Sequence, residues 1–187
     1  MTMSLRSRLT ACIGFATLLA PFQALAKCDN KNPGAHLGSG SYTAGQVITE
    51  LALEPNPEGG YYAETFRDPI LGPPGNRSIN TAIYYLLEGP DVPSIWHRVD
   101  AVEIWHWYAG APMILHTSED NGTPTKVHHL GPDVLDGQRP QVVIPGGHWQ
   151  QAISCGDWTL VGTTVAPGFV PEGSELAPVG WEPNTGE

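Results

Sequence analysis

His97 and Glu103 are the pair in this sequence best suited to acid–base or metal chemistry. Alternation along a strand predicted over Ala101–Ala109 puts Glu103 on the same face as Trp105. A carboxylate among buried aromatic side chains is unfavourable unless it is paired, hydrogen-bonded or bound to a metal. We therefore expect His97 and Glu103 to meet in a cavity, as a general base or as metal ligands.

A second group of polar residues follows the strand predicted over Gln141–Ile144, which runs into a Pro-Gly-Gly turn. His148 and Gln150 come after this turn and share the same strand parity. If that parity points inward, the cavity gains an imidazole and an amide. Both residues are therefore predicted to bind the ligand.

An early strand predicted over Gly60–Phe66 carries Glu64 and Tyr62 on one face. Two interpretations of Glu64 remain open: a catalytic carboxylate beside Glu103, or one half of an ion pair with Arg67. Aromatic side chains provide flat apolar surface for ligands as well as for protein cores. The aromatic residues predicted to contact the ligand are Tyr62, Trp105 and Trp149.

The elements that must position these residues are short strands separated by turns. The 187 residues include 22 Gly and 18 Pro, and 15% of the chain is charged. Because Gly and Pro interrupt helices, this composition excludes a helical bundle or a coiled coil. One short helix is expected after a capping box formed by Thr43 and Gln46. Strands are predicted over residues 60–66, 80–87, 94–98, 101–109, 112–117, 125–130, 141–144, 150–153 and 158–165.

This pattern of short strands and frequent turns predicts a single all-β domain, either a sandwich or a barrel. The segment after the last strand, residues 168–187, is predicted to be irregular, with Leu176 and Trp181 as possible anchors.

Two blocks of the sequence resemble the signature motifs of the cupin superfamily. Glu103 followed by Gly110 reproduces the end of the first motif, and Pro145 with Gly147 reproduces part of the second. Four further blocks make the chain resemble the fifth cupin subfamily, a group of unknown function. The resemblance implies an all-β fold, a single antiparallel jelly-roll β-barrel with a short N-terminal helix, like the sugar-nucleotide epimerase cupins. The four blocks are residues 57–67, 81–87, 103–106 and 166–169.

The resemblance also implies a metal site of three His and one Glu, from which this sequence departs. Glu103 carries over directly, His97 takes the first His position under the shorter motif spacing, and Val99 then takes the second. Gln150 stands at the position of the third. A set of His97, Glu103 and His148 would suit a divalent transition metal. A metal-free pocket built from the same groups is the alternative, so no cofactor is assigned.

Residues 1–26 have the order of a signal peptide: a positive region, an apolar run and a small-residue cleavage site. A flexible leader (27–42), a cupin domain (43–182) and a short tail (183–187) are predicted to follow. The protein is therefore expected to be secreted or periplasmic. Cleavage removes two arginines and takes the net charge from −10 to −12. Cys28 and Cys155 would then either form a disulfide or remain free thiols.

The expected activity is isomerisation or epimerisation of a small polar, sugar-like or carbonyl ligand by proton transfer, with His97, Glu103 and Glu64 as catalytic residues. The alternatives are a non-catalytic binding protein and a metal-dependent oxygenase or hydrolase. The acidic net charge argues against nucleic acid as a partner. No membrane insertion is expected after signal cleavage, and exposed strand edges predict a homodimer.

Overall fold

The computed structural model describes Cys28, residues 42–73 and residues 76–184. The predicted signal peptide and most of the predicted leader lie outside these described residues, so cleavage and export stay predictions. The homodimer concerns a second copy of the chain and also stays a prediction. In the described part of the chain, no helix has the length and apolar character needed to cross a membrane.

The N-terminal helix, α1, spans Ala44–Glu50 and begins at the predicted capping box. The Thr43 hydroxyl accepts a hydrogen bond from the Gln46 backbone N–H, and the Gln46 side chain accepts one from the Thr43 N–H. Two orphan donors of the first turn are satisfied in this way. The helix packs on one sheet through a cluster that includes Ala44, Leu86 and Trp158.

The described residues otherwise form thirteen strands, β1 to β13, and two 3-10 turns. The turns span Val134–Asp136 and Pro171–Gly173. The strands are β1 Glu54–Pro55, β2 Tyr61–Arg67, β3 Leu71–Gly72, β4 Arg77–Ser78, β5 Thr81–Glu88, β6 His97–Val99, β7 Val102–Gly110, β8 Met113–Ser118, β9 Lys126–Leu130, β10 Gln141–Ile144, β11 Trp149–Ser154, β12 Trp158–Ala166 and β13 Ser174–Leu176.

Two antiparallel sheets face each other and enclose the core. The six-stranded sheet has the order β1-β2-β5-β12-β7-β10, and the five-stranded sheet has the order β13-β6-β11-β8-β9. Side chains alternate between core and solvent, as β10 shows: Val142 and Ile144 are buried, whereas Gln141 and Val143 are exposed. The all-β fold of jelly-roll type with one short helix is confirmed.

The segment predicted to be irregular after residue 168 contains a strand. β13 pairs with β6, so that Leu176 lies opposite His97. The sequence Ser-Glu-Leu has neither the length nor the apolar alternation that predicts a strand, and it pairs because it completes the edge of the sheet. The strand predicted over 94–98 is shorter than expected and begins at His97.

A buried arginine holds the chain after β12. Arg77 forms a two-point ion pair with Asp100, at 2.9 and 3.0 Å, and its Nε donates to the carbonyl oxygen of Gly168. The backbone N–H of Asp100 donates to the carbonyl oxygen of Gly173 at 2.8 Å. Both ends of the segment Gly168–Gly173, called here the mouth segment, are therefore fixed to the barrel.

A disulfide joins Cys28 to Cys155, which are 127 residues apart in the sequence. It ties the N-terminal segment to the turn between β11 and β12. Of the two alternatives that the sequence left open, the structure shows the bonded one.

We predict that reducing this disulfide lowers the melting temperature by several degrees. Closing a loop of this length removes entropy from the unfolded chain worth about 5 kcal/mol at most, and about 1 kcal/mol shifts the melting temperature by a few degrees in a domain of this size. Calorimetry with and without a phosphine reductant measures the effect. A Cys28→Ser/Cys155→Ser variant is the control and should not respond to the reductant. Equal melting temperatures for the oxidised and reduced wild type would contradict the prediction.

Candidate active site

A cavity of about 710 Å³ opens between the two sheets. The six-stranded sheet contributes Glu103 and Tyr62, and the five-stranded sheet contributes His97. The loop before β2 adds Glu58, and the mouth segment adds Phe169. Residues far apart in sequence are thus gathered around one space whose volume is typical of small-molecule sites.

Glu103 lies at the inner end of this cavity and is 6% exposed. The Gln150 Nε2 donates to Glu103 Oε2 at 2.5 Å, and the Trp105 indole N–H donates to Gln150 Oε1 at 3.0 Å. An indole nitrogen can only donate, so the amide oxygen of Gln150 must face Trp105 and its NH₂ must face Glu103. The two hydrogen bonds therefore run in one direction, from Trp105 to Gln150 and from Gln150 to Glu103.

Burial raises the pKa of Glu103 above its ordinary value of 4.5. The charge of His97 and the hydrogen bond from Gln150 oppose this rise, whereas the charge of Glu58 adds to it. Loss of water is the largest of these effects, because a carboxylate in an apolar interior loses more hydration than a few donors replace. Glu103 is therefore suited to hold a proton at a pH where an exposed glutamate has lost it.

His97 and Glu58 form the second polar centre of the cavity. His97 Nδ1 lies 2.9 Å from the carbonyl oxygen of Ile95, which only accepts, so Nδ1 carries a hydrogen. His97 Nε2 lies 3.3 Å from Glu58 Oε2. The His97 side chain is 2% exposed and that of Glu58 is 20% exposed. The two groups can share one proton, and both line the cavity, with Glu58 the more exposed of the two.

Glu58 lies in a Glu-Gly-Gly run, and this local sequence indicates a structural turn rather than a catalytic residue. The turn is present: Gly60 has φ +68, and a Cβ there would lie 2.3 Å from the carbonyl oxygen of Leu86. The same turn also places the Glu58 side chain beside His97. The Ile95 N–H donates to the Glu58 carbonyl oxygen at 2.7 Å and fixes the turn against the chain before β6.

Glu64 lies at the cavity mouth and forms the ion pair with Arg67 that the second interpretation expected, whereas a catalytic role for Glu64 stays a prediction. Arg67 Nε and Nη2 donate to the two Glu64 oxygens at 2.9 and 2.5 Å, and Nη1 donates to the Phe169 carbonyl oxygen at 3.0 Å. The ion pair lies within β2, and the hydrogen bond to Phe169 links β2 to the mouth segment. Glu64 is thus at the rim, whereas Glu103 is at the inner end.

The remaining predicted ligand-binding residues occupy different places. Tyr62 lines the cavity. Trp105 and Gln150 are not among the lining residues and act through Glu103 instead. The structure does not bring Trp149 or His148 to the cavity. Trp149 packs on the outer face of its sheet with Trp96 and Trp181, and His148 precedes β11 in the turn, where strand parity does not apply.

The donor set does not fit the metal ion that a cupin fold implies. In the described residues, no group of three or more His, Cys, Asp or Glu side chains is arranged to hold a metal. His97 and Glu103 lack a third ligand, because His148 lies elsewhere. Gln150 directs N–H groups at Glu103, and its oxygen is taken by Trp105. Hydrogen bonds therefore replace coordination at this position.

We predict that Glu103→Gln stabilises the protein increasingly as the pH rises above 4.5. The native state keeps the Glu103 proton to higher pH than the unfolded chain does, so wild-type stability falls from the ordinary pKa up to the native pKa and then levels off. Each pH unit of that interval lowers the free energy of unfolding by about 1.4 kcal/mol.

Urea unfolding between about pH 4 and about pH 9 measures this difference. The matched control is Glu88→Gln, which removes an exposed carboxyl group from the same sheet. A stability difference between the Glu103→Gln variant and the wild type that stays constant across the range would contradict the prediction.

We also predict that Gln150→His creates a metal site that the wild type lacks. Gln150 is the strand partner of His97 and contacts Glu103, so an imidazole there supplies the third ligand. Zinc at a hundredfold excess over its Kd should raise the melting temperature of this variant by about 5 °C, and that of the wild type by much less. Gln150→Leu is the control. A wild-type shift equal to that of the variant would refute the idea that Gln150 prevents binding.

Two solved structures share the fold of this chain and are similar to it in sequence. A hypothetical protein from Leishmania major is 30% identical, with a TM-score of 0.67 over 73% of this chain and 88% of that protein. A protein from Shewanella oneidensis is 31% identical, with the same TM-score over 73% of this chain and 85% of that protein.

A more distant match shares the fold alone. Oxalate decarboxylase from Bacillus subtilis is 9% identical, with a TM-score of 0.50 over 69% of this chain and 30% of the enzyme. No protein with a curated description matches the sequence. Residues 45–177 match the family described as Cupin superfamily (DUF985), and the chain belongs to that family.

Proposed function

We propose that the protein binds a small carbonyl compound in the cavity and moves a proton next to the carbonyl group, as an isomerase or epimerase. The observation that carries this proposal is the presence, in one cavity, of a buried carboxyl group and a more exposed carboxyl–imidazole pair. Burial favours the protonated form of Glu103, whereas the Glu58–His97 pair offers a partly accessible carboxylate backed by an imidazole. Pairs of titratable groups with such different environments are typical of acid–base catalysis.

The first step removes a proton from the carbon beside the carbonyl. Glu58 takes this proton, and His97 Nε2 shares it across the 3.3 Å contact. The electron pair of the broken C–H bond moves to the carbonyl oxygen, which receives a proton from Glu103. The product is an enol, and no oxidant or metal is required.

The second step returns the proton to carbon. Glu103 takes back its proton from the enol oxygen, and the Glu58–His97 pair delivers a proton to a neighbouring position, or to the same carbon after the enol has turned its other face toward the pair. Epimerisation or isomerisation results. The hydrogen bond from Gln150 stabilises Glu103 when it is ionised between the two steps.

Exchange of carbon-bound hydrogen with deuterated water tests the proposal without knowledge of the natural substrate. We predict that the wild type catalyses hydrogen exchange at the carbon beside the carbonyl group of 2-tetralone. NMR measures the loss of the hydrogen signal over time. Glu58→Gln and Glu103→Gln should each slow the exchange about a hundredfold or more, because an amide cannot transfer the proton.

Glu175→Gln is the matched control, since Glu175 is an exposed carboxylate outside the cavity lining, and it should leave exchange unchanged. Binding of the ketone without any exchange by the wild type would contradict proton transfer and would favour a binding protein instead.

A further inference from the structure

We infer that the natural substrate is an uncharged carbonyl compound with a mainly apolar body, an inference that rests on the proposed function and names its substrate class. The charges of the cavity are already paired within the protein. Glu64 and Arg67 neutralise each other through two hydrogen bonds at the rim, and Glu58 lies against His97 deeper inside. A charged ligand would have to break one of these pairs to find a partner of opposite sign: the Arg67 pair for an anion, and the Glu58 or Glu64 pair for a cation.

An anionic ligand is the least suited to this cavity. Among the described residues that line it, Arg67 is the only Lys or Arg. Its guanidinium donates to both Glu64 oxygens and to the Phe169 carbonyl oxygen. The paired N–H groups that would bind a carboxylate or phosphate of a ligand are therefore already in use. An anion would also face the carboxyl groups of Glu58 and Glu103.

A sugar-like ligand is also a poor match, because two of the polar side chains of the wall already bond within the protein. Thr81 Oγ1 accepts the Phe169 N–H at 2.8 Å, and Asn56 Oδ1 accepts the Glu58 N–H at 2.9 Å. A ligand with many hydroxyl groups would lose hydrogen bonds to water that these side chains are not free to replace.

The rest of the wall is apolar and suits a hydrocarbon body. Six apolar side chains from both sheets and from the mouth segment surround the polar inner end. Contact with such a wall favours ligands that bury apolar surface, and a few polar groups then fix their orientation. The six residues are Tyr62, Ile83, Val99, Val165, Phe169 and Leu176.

Binding of matched probes tests this inference. Calorimetric titration compares 2-tetralone, its 6-carboxylate and D-glucose on the oxidised wild-type protein. We predict that 2-tetralone binds at least about tenfold more tightly than either of the others, because only it leaves no charge or hydroxyl group unpaired in the cavity. Tighter binding of the carboxylate or of glucose, or no binding of the ketone at millimolar concentration, would overturn the inference.

A variant at the rim reverses the preference if the argument is correct. Glu64→Ala removes an exposed partner and leaves the Arg67 fork free, so it should improve binding of the 6-carboxylate about fivefold or more. The matched control, Glu175→Ala, frees Arg98 from an ion pair of 2.6 Å outside the cavity and should change nothing. Equal responses of the two variants would show that Arg67 does not govern charge selection.

Failure of the substrate class and failure of the proposed function have different signatures. Ketone binding without hydrogen exchange contradicts proton transfer and leaves the inferred class intact. In the converse case, the 6-carboxylate binds more tightly than the neutral ketone and undergoes exchange. That result contradicts the inferred substrate class, an uncharged carbonyl compound, and leaves proton transfer intact.

Discussion

A carboxyl group enclosed between two β-sheets must find its hydrogen-bond donors inside the protein, because it has lost contact with water. Glu103 meets this requirement through Gln150, which Trp105 holds in one orientation. These residues come from β7 and β11, which belong to different sheets. The same interaction therefore joins the two layers of the fold and limits the rise in the pKa of Glu103 that burial causes, so the packing of the sheets and the electrostatics of the cavity depend on one group.

The position of the acid–base centres follows from how the strands are arranged. β6 belongs to the five-stranded sheet, and a short turn connects it to β7 in the six-stranded sheet. His97 and Glu103 therefore reach one cavity from opposite layers. Glu58 comes from a turn whose glycines allow the backbone to pass close to β5. The polar inner end of the cavity thus depends on two turns as much as on the strands.

Alternation along the chain was sufficient to predict most long strands and the inward direction of Glu103, because period-two burial is a local property. The bounds of β10 were predicted without error. Glu58 was missed because its role depends on a contact with His97, 39 residues away, and its local sequence only indicates a turn. Trp149 faces away from the cavity because it alternates with the inward-facing Gln150. The short edge strand β13 pairs because β6 offers it a partner, and its own composition carries no such information.

The bond between Cys28 and Cys155 changes what a cut in the backbone can do. Residues 29–41 lie between a covalent attachment to the turn after β11 and the start of α1. A protease that cleaves there divides the chain into two polypeptides that stay joined in one molecule. Such nicked protein would migrate as an intact chain under non-reducing conditions and would release its N-terminal fragment only when the sulfur bridge is opened.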